Sequence, residues 1–289
     1  MKPAPFEYVA ASSAADAVEA LRRFGDDAKV LAGGQSLIPM MALRLARPSA
    51  LVDINRCGDL EGLAESAGTL TVGALARQRD LERWARLRSP LFQEVLGSVA
   101  HAPIRNRGTV VGNLVHADPA SELPALLLCL DGAVTARRTD GERVIPADKL
   151  YLAPLTTSLE ANELATAARF TLPPDGAGWG FAEVARRHGD FALVGCIAVF
   201  AVNGGEAVSH ARLGFFGVGG TPHRSAAGEA VLIGREPTAA RCLEAARAAA
   251  AALSPDGDIH ASAGYRKTVA ATLAERVLAA AIGRCRRTG

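Results

Sequence analysis

The chain lacks most of the devices that mark the commoner enzyme classes. Its five cysteines, Cys57, Cys129, Cys196, Cys242 and Cys285, are scattered with no C-x-x-C pair, so the chain alone offers no iron–sulfur or zinc ligand set. Cys129 and Cys196 lie in apolar runs and read as small core residues, which suits a reducing cytoplasm. The six histidines show no metal-ligand spacing, and no metal site is expected. P-loop and G-x-S-x-G patterns are absent. The nearest approach to a Rossmann glycine fingerprint, Gly217-Val218-Gly219-Gly220-Thr221-Pro222, ends on proline. Neither sign of charge dominates: 32 basic residues face 30 acidic ones, a net charge of +2, which argues against nucleic acid or an anionic membrane as the main partner. The longest apolar run, 191–202, falls short of the roughly 20 residues a membrane-spanning helix needs. Glu7 and Asp16 interrupt any apolar signal-peptide core, so no targeting segment is expected.

What is present is the material for about two domains: 289 residues, 49% hydrophobic and 21% charged. Pro173-Pro174-Asp175-Gly176 marks the break, giving domains over 1–175 and 176–289, the first divided into subdomains of about 1–56 and 57–175. The chain opens β-α-β, with a strand at 6–9, a helix at 14–24 started by a Ser13/Asp16 capping box, a strand leading into Gly33 and another at 51–54. Strands at 70–72, 133–135 and 167–172 then alternate with short helices. Beyond the break come a hairpin (191–202 and 207–216, turning at Asn203-Gly204-Gly205), an alanine-rich helix at 239–253 and a final helix at 265–282. The expected class is α+β: a small β-α-β part, a mixed-sheet part, then an antiparallel sheet packed with helices.

Two glycine-bearing segments stand out. Ala32-Gly33-Gly34-Gln35-Ser36 follows the apolar Val30-Leu31 and opens an amphipathic run, so it reads as strand, glycine turn and helix start, with Ser36 as N-cap and Pro39 in the first turn. Unpaired N–H groups at such a start, approached through residues without a Cβ, suit phosphate oxygens; a plain tight turn is the alternative. The second segment, Thr109-Val110-Val111-Gly112-Asn113, lies in a long polar stretch from His101 to Pro124 that shows no sustained period and reads as irregular backbone. A helix follows from Leu123, with Ser121 as its N-cap. His101 and His116, flanking the segment, read as hydrogen-bonding loop residues and not as general bases. Asp118-Pro119 turns the chain, and Glu122 favours the helix start.

In this order and separation, the two segments resemble those of the FAD-binding subunit of the molybdenum hydroxylases, the xanthine dehydrogenase and carbon monoxide dehydrogenase flavoprotein family. The resemblance extends to Ile104-Arg105-Asn106, His116-Ala117-Asp118-Pro119, Arg186-Arg187-His188-Gly189-Asp190-Phe191-Ala192 and Tyr265-Arg266-Lys267, and so covers nearly the whole chain. It implies a two-subdomain FAD-binding domain of the PCMH type and a C-terminal flavoprotein domain. It also implies FAD contacts from Leu31, Ala32, Gly33, Gly34, Gln35, Ser36 and Leu37, with the pyrophosphate in the 32–36 loop. On the second segment it implies contacts from Ile104, Thr109, Val110, Val111, Gly112, Asn113 and His116, toward the isoalloxazine or ribityl chain. Asp118 keeps both readings. Glu122 is implied to accept hydrogen bonds from cofactor hydroxyls, and Leu164 to pack near the flavin. No catalytic acid, base or nucleophile is expected.

The implied function is electron transfer in a cytoplasmic hetero-oligomer, such as a dimer of heterotrimers. A small subunit with 2Fe-2S clusters would deliver electrons, a large molybdopterin-binding subunit would oxidise substrate, and an external acceptor would discharge the FAD. A stand-alone FAD-dependent oxidase or reductase and a flavin-free scaffold are the alternatives. One departure motivates the scaffold. The family pattern has two adjacent glycines before the asparagine, where this chain has Val111-Gly112, and the β-branched residue either crowds the flavin or points into the protein.

Overall fold

The computed structural model describes residues 2–204 and 207–285, so Gly205 of the expected hairpin turn lies outside the described residues. The N-terminal sheet is parallel, with strand Ala50–Asp53 between Glu7–Ala10 and Ala28–Leu31. Parallel neighbours need crossover connections. Helix Ala14–Phe24 makes the first one and buries Ala14, Ala17, Val18 and Leu21. Ser13 Oγ accepts from the Asp16 N–H as the capping box requires, whereas Asp16 accepts in return from the N–H of Ser12, one residue earlier than the motif prescribes.

The second sheet is antiparallel, in the order Leu63–Ser66, Thr69–Gly73, Leu164–Thr171, Ala133–Arg138, Gly141–Pro146. The third runs Gly178–Ala185, Ala192–Val202, Val208–Phe216, His223–Arg224, also antiparallel, and packs against helices Ala226–Leu232 and Ala263–Arg284, on which helix Ala239–Ala251 packs in turn. The apolar run at 191–202 owes its continuity to burial on both faces. Ile197 and Val199 join the core shared with the first two sheets, while Val194, Cys196, Ala198 and Phe200 join the core under the C-terminal helices. Successive side chains of a strand point to opposite faces, so a strand covered on both sides shows no alternation. Helix Glu122–Cys129, buried along its whole length, packs against three strands of this third sheet and carries the chain beyond the second glycine segment into the middle of the molecule.

The segment from His101 to Pro124 is not irregular. Helices Ala102–Arg105 and Val110–His116 occupy much of it, at four and seven residues too short to display a helical period. The last helix is pinned by Arg266, which is buried and donates to the carbonyls of Leu193 and Gly217 and to Asp258 Oδ2, giving the Tyr265-Arg266-Lys267 motif a structural purpose. Two glycines in Gly178–Ala185 let that helix lie directly on the strand: a Cβ on Gly180 would overlap the Val277 carbonyl. Gly180→Ala is therefore expected to cost about 1–3 kcal/mol of stability in urea unfolding. Gly264→Ala, whose Cβ enters open space on the same helix, does not lower it.

Candidate functional site

The turn after strand Ala28–Leu31 delivers the chain into helix Leu37–Ala42. Gly34 takes a φ of 72°, where a Cβ is strained. Gly33 is required for a different reason: a Cβ there would stand 2.5 Å from the Arg107 carbonyl oxygen and 2.7 Å from Gly108 Cα. The first loop thus rests on the backbone of the second segment at a distance only glycine permits. Polar side chains brace the contact from behind. Asn55 Nδ2 donates to the Ala32 carbonyl at 2.9 Å and to Asp53 Oδ1 at 2.7 Å, and Asn55 Oδ1 accepts from Arg77 Nη2 at 2.7 Å. Arg77 Nη1 donates to the Arg107 carbonyl at 2.6 Å, which closes the brace across both loops.

The backbone N–H groups of Gly33, Gly34, Gln35, Ser36 and Leu37 meet no acceptor among the described residues. Ser36 holds the N-cap position as expected, but its backbone is already helical and its hydroxyl makes no capping bond, which leaves these donors available. On the second segment Thr109 Oγ1 caps helix Val110–His116 by accepting from the Gly112 N–H at 3.1 Å, and the Val111 N–H has no acceptor among the described residues. Ser121 does not cap the next helix with its side chain. Its hydroxyl donates to Asn113 Oδ1 at 2.9 Å and so orients that amide.

A cleft of about 760 Å³ runs along these elements, within the range of ligand-binding cavities. It brings together Ala32 to Leu37 from the first loop with Ile104, Thr109, Val111, Gly112, Asn113 and His116 from the second, and also Asp118, Glu122 and Leu164. Two expected residues fall outside it. Leu31 lines a smaller hollow of about 640 Å³ on the braced side of the loop, with Asn55, Arg77 and Arg107. Val110 is fully buried in the core, because the first turn of its helix rotates it away from the cleft, and its N–H donates to the Ala76 carbonyl at 3.0 Å. Val111 is only 2% exposed and packs in the same core, so its branched side chain points into the protein, and the motive for a flavin-free scaffold falls away. Asp118 serves the chain turn, Oδ1 accepting from the Ala120 N–H at 2.9 Å, and also borders the cleft.

The cleft has walls that the sequence did not announce. Gln78, the first residue of helix Gln78–Arg88, is buried beside it with Oε1 unpartnered, and nothing in the sequence sets it apart from its amphipathic neighbours. Gly189, Asp190 and Phe191 form another part. Gly189, at φ 77°, lies on the His101 imidazole, where a Cβ would stand 2.5 Å from Cε1, so His101 is a shelf for this loop. Burial pushes the Glu122 carboxyl up to about 8, with Glu183 and Asp118 adding to the effect and its own backbone N–H opposing it. Burial likewise raises Glu183 to about 7, against a hydrogen bond from Ser98.

Consecutive free N–H groups on one wall and buried polar groups on another suit a long ligand that is anionic in the middle and hydroxylated beside it. Fold and site together define a dinucleotide-binding flavoprotein. The chain belongs to the FAD-binding subunits of the molybdopterin dehydrogenases: residues 4–173 match the family described as FAD binding domain in molybdopterin dehydrogenase, and residues 179–281 match the CO dehydrogenase flavoprotein C-terminal domain. It is 41% identical to the 6-hydroxypseudooxynicotine dehydrogenase complex subunit alpha of Paenarthrobacter nicotinovorans, across 100% of this chain and 98% of that one. It is 37% identical to the carbon monoxide dehydrogenase medium chain of Hydrogenophaga pseudoflava, across 99% and 100%. A solved structure of the carbon monoxide dehydrogenase of Hydrogenophaga pseudoflava, lacking the Mo-pyranopterin moiety of its cofactor, superposes with a TM-score of 0.95 at 38% identity, over 99% of this chain and 100% of that one.

Two outcomes test this geometry. Gly33→Ala must separate the loops, and FAD binding measured by fluorescence quenching is expected to weaken at least about tenfold, since a shift of about 1 Å in a positioned donor set costs more than 1.4 kcal/mol. Glu122 links stability to pH. The folded chain keeps the Glu122 proton up to about 8, while the unfolded chain loses it near 4.5. The associated stability is complete below the unfolded value and declines as pH rises towards the folded one. Between about pH 5 and about pH 8 the apoprotein's Tm is expected to fall, levelling off above that, and Glu122→Gln is expected to flatten the fall.

Proposed function

We propose that this chain is the FAD-binding electron-transfer subunit of a molybdenum-containing hydroxylase or dehydrogenase. In this reading it works beside a large molybdopterin-binding subunit and a small 2Fe-2S subunit in a cytoplasmic hetero-oligomer, a dimer of heterotrimers being one arrangement. The observation that carries the reading is the meeting of the two glycine segments at Gly33, which sets five consecutive free N–H groups along a cleft long enough for a dinucleotide. Bound FAD would supply a two-electron store that is filled one electron at a time from the iron–sulfur partner and emptied to an external acceptor. The chain's own residues bind, orient and shield. Gly33 to Leu37 offer N–H donors to the pyrophosphate, aided by the start of helix Leu37–Ala42. The Val111 N–H and the Asn113 amide, held by Ser121, face the isoalloxazine or ribityl side. Glu122 takes hydrogen bonds from cofactor hydroxyls, Leu164 packs against the ring system, and Phe191 limits water access.

The division at 175/176 separates this FAD-binding part from a C-terminal part whose sheet backs helix Glu122–Cys129. Buried thiols at Cys57, Cys129, Cys196 and Cys242, none in a disulfide, favour the reducing cytoplasm. Among the described residues no helix is long and apolar enough to cross a membrane. A stand-alone oxidase needs a base beside the flavin, and the sequence offers no clear candidate; His101 packs under Gly189. The chain expressed alone is expected to show the visible absorption of oxidised flavin and to release FAD, not FMN, on heating. A colourless protein that stays so with added FAD overturns the reading for the isolated subunit.

A further inference from the structure

Asn113 and Ser121 both border the cleft, one from helix Val110–His116 and the other from the residue just before helix Glu122–Cys129. Ser121 is 5% exposed, and its N–H donates to the Asp118 carbonyl at 3.1 Å, which fixes its backbone. Its hydroxyl makes no cap bond to the helix it precedes and donates instead to Asn113 Oδ1 at 2.9 Å. A carboxamide has two edges of opposite character, an oxygen that accepts and an NH2 that donates. Here the oxygen is engaged by Ser121, whereas Nδ2 has no acceptor among the described residues and is not enclosed by protein. Turning the amide over would strand the Ser121 hydroxyl proton, which has no second acceptor among the described residues, in a buried position. Leaving a buried donor unmatched costs about 1–3 kcal/mol, so the amide keeps its orientation.

We propose that Ser121 is a positioning residue that commits Asn113 to the role of donor: Asn113 Nδ2 gives its hydrogen bond to an acceptor oxygen of bound FAD. The inference rests on the FAD reading above and deepens it. With its oxygen engaged, Asn113 does not accept from the cofactor's hydroxyls or its ring N–H; on this wall that task falls to Glu122, the residue after Ser121. The amide is set before the cofactor arrives, so binding does not have to order it. Ser121 acts through Asn113 and not on the cofactor itself.

The test is a double-mutant cycle on FAD affinity, measured by fluorescence quenching of the apoprotein, with Ser121→Ala, Asn113→Ala and the two together. Ser121→Ala frees the amide and is expected to weaken FAD about threefold to tenfold, and Asn113→Ala about tenfold. In the Asn113→Ala background, Ser121→Ala is expected to cost less than about twofold, as a residue that acts only through Asn113 must. Asn113→Asp keeps the size and the acceptor oxygens but removes the donor, and is expected to bind FAD no better than Asn113→Ala. An Asn113→Asp variant that binds FAD as tightly as the unaltered chain overturns the donor role. Equal penalties for Ser121→Ala in both backgrounds, which a merely structural role or a direct cofactor contact would give, overturn the positioning role while leaving the FAD reading intact. Should Asn113→Ala fail to fold, Ser121→Ala repeated in the Asn113→Asp background decides by the same comparison. An unaltered chain that binds no FAD overturns the FAD reading and this inference with it.

Discussion

The contact between Gly33 and the backbone of Arg107 and Gly108 governs the rest of the site. The two loops are far apart in sequence, one following a strand of the parallel sheet and the other joining two short helices, and each alone is an ordinary connection. Pressed together at 2.5 Å from an absent Cβ, they form one rim on which the N–H groups of residues 33–37 and of Val111 have no acceptor among the described residues. Unpaired N–H groups are tolerable there because the rim borders an open cleft where solvent or ligand can accept them. The Asp53, Asn55 and Arg77 brace behind the loop then has a clear task. It satisfies the carbonyls of Ala32 and Arg107, which the turn leaves over, and fixes the spacing of the donors in front.

The cleft is electrostatically divided. The first loop contributes free N–H groups and a helix start, with Arg77 and Arg107 behind it. The opposing wall contributes Asp118 and Glu122, and burial favours the neutral form of Glu122. Such a division matches a ligand whose charge sits on phosphates and whose remainder is hydroxylated and aromatic. The C-terminal sheet matters to this site although few of its residues touch it. Three of its strands pack against helix Glu122–Cys129, and the Gly217 N–H donates to the Pro119 carbonyl at 2.8 Å, tying it to the chain that enters that helix.

Much of this was legible in the sequence, and the failures have physical causes. Helix Ala14–Phe24 was read at its actual bounds because it has both a cap and a clean apolar face. The strands that were read lie within a few residues of their bounds, whereas Leu63–Ser66, Gly141–Pro146 and Gly178–Ala185, poor in clean apolar alternation, were not read. Helix Val110–His116 was missed because seven residues rich in β-branched side chains and glycine resemble loop composition. Val110 was assigned to the flavin by its place in a motif, but a motif is linear and a helix turns residues about 100° apart, so one neighbour enters the core and the next residues border the cleft. Ser36 and Ser121 occupy the cap positions their types predict without making the bonds, one leaving donors free and the other serving Asn113.

The central claim is that the N–H row created by the Gly33 contact holds the dinucleotide. Hydrogen–deuterium exchange of the apoprotein against the FAD-loaded chain measures this most directly, because those amides have no other acceptor among the described residues to slow them. The account predicts fast exchange at residues 33–37 and at Val111 in the apoprotein and strong protection there once FAD is bound. FAD bound tightly while those amides continue to exchange freely would contradict it.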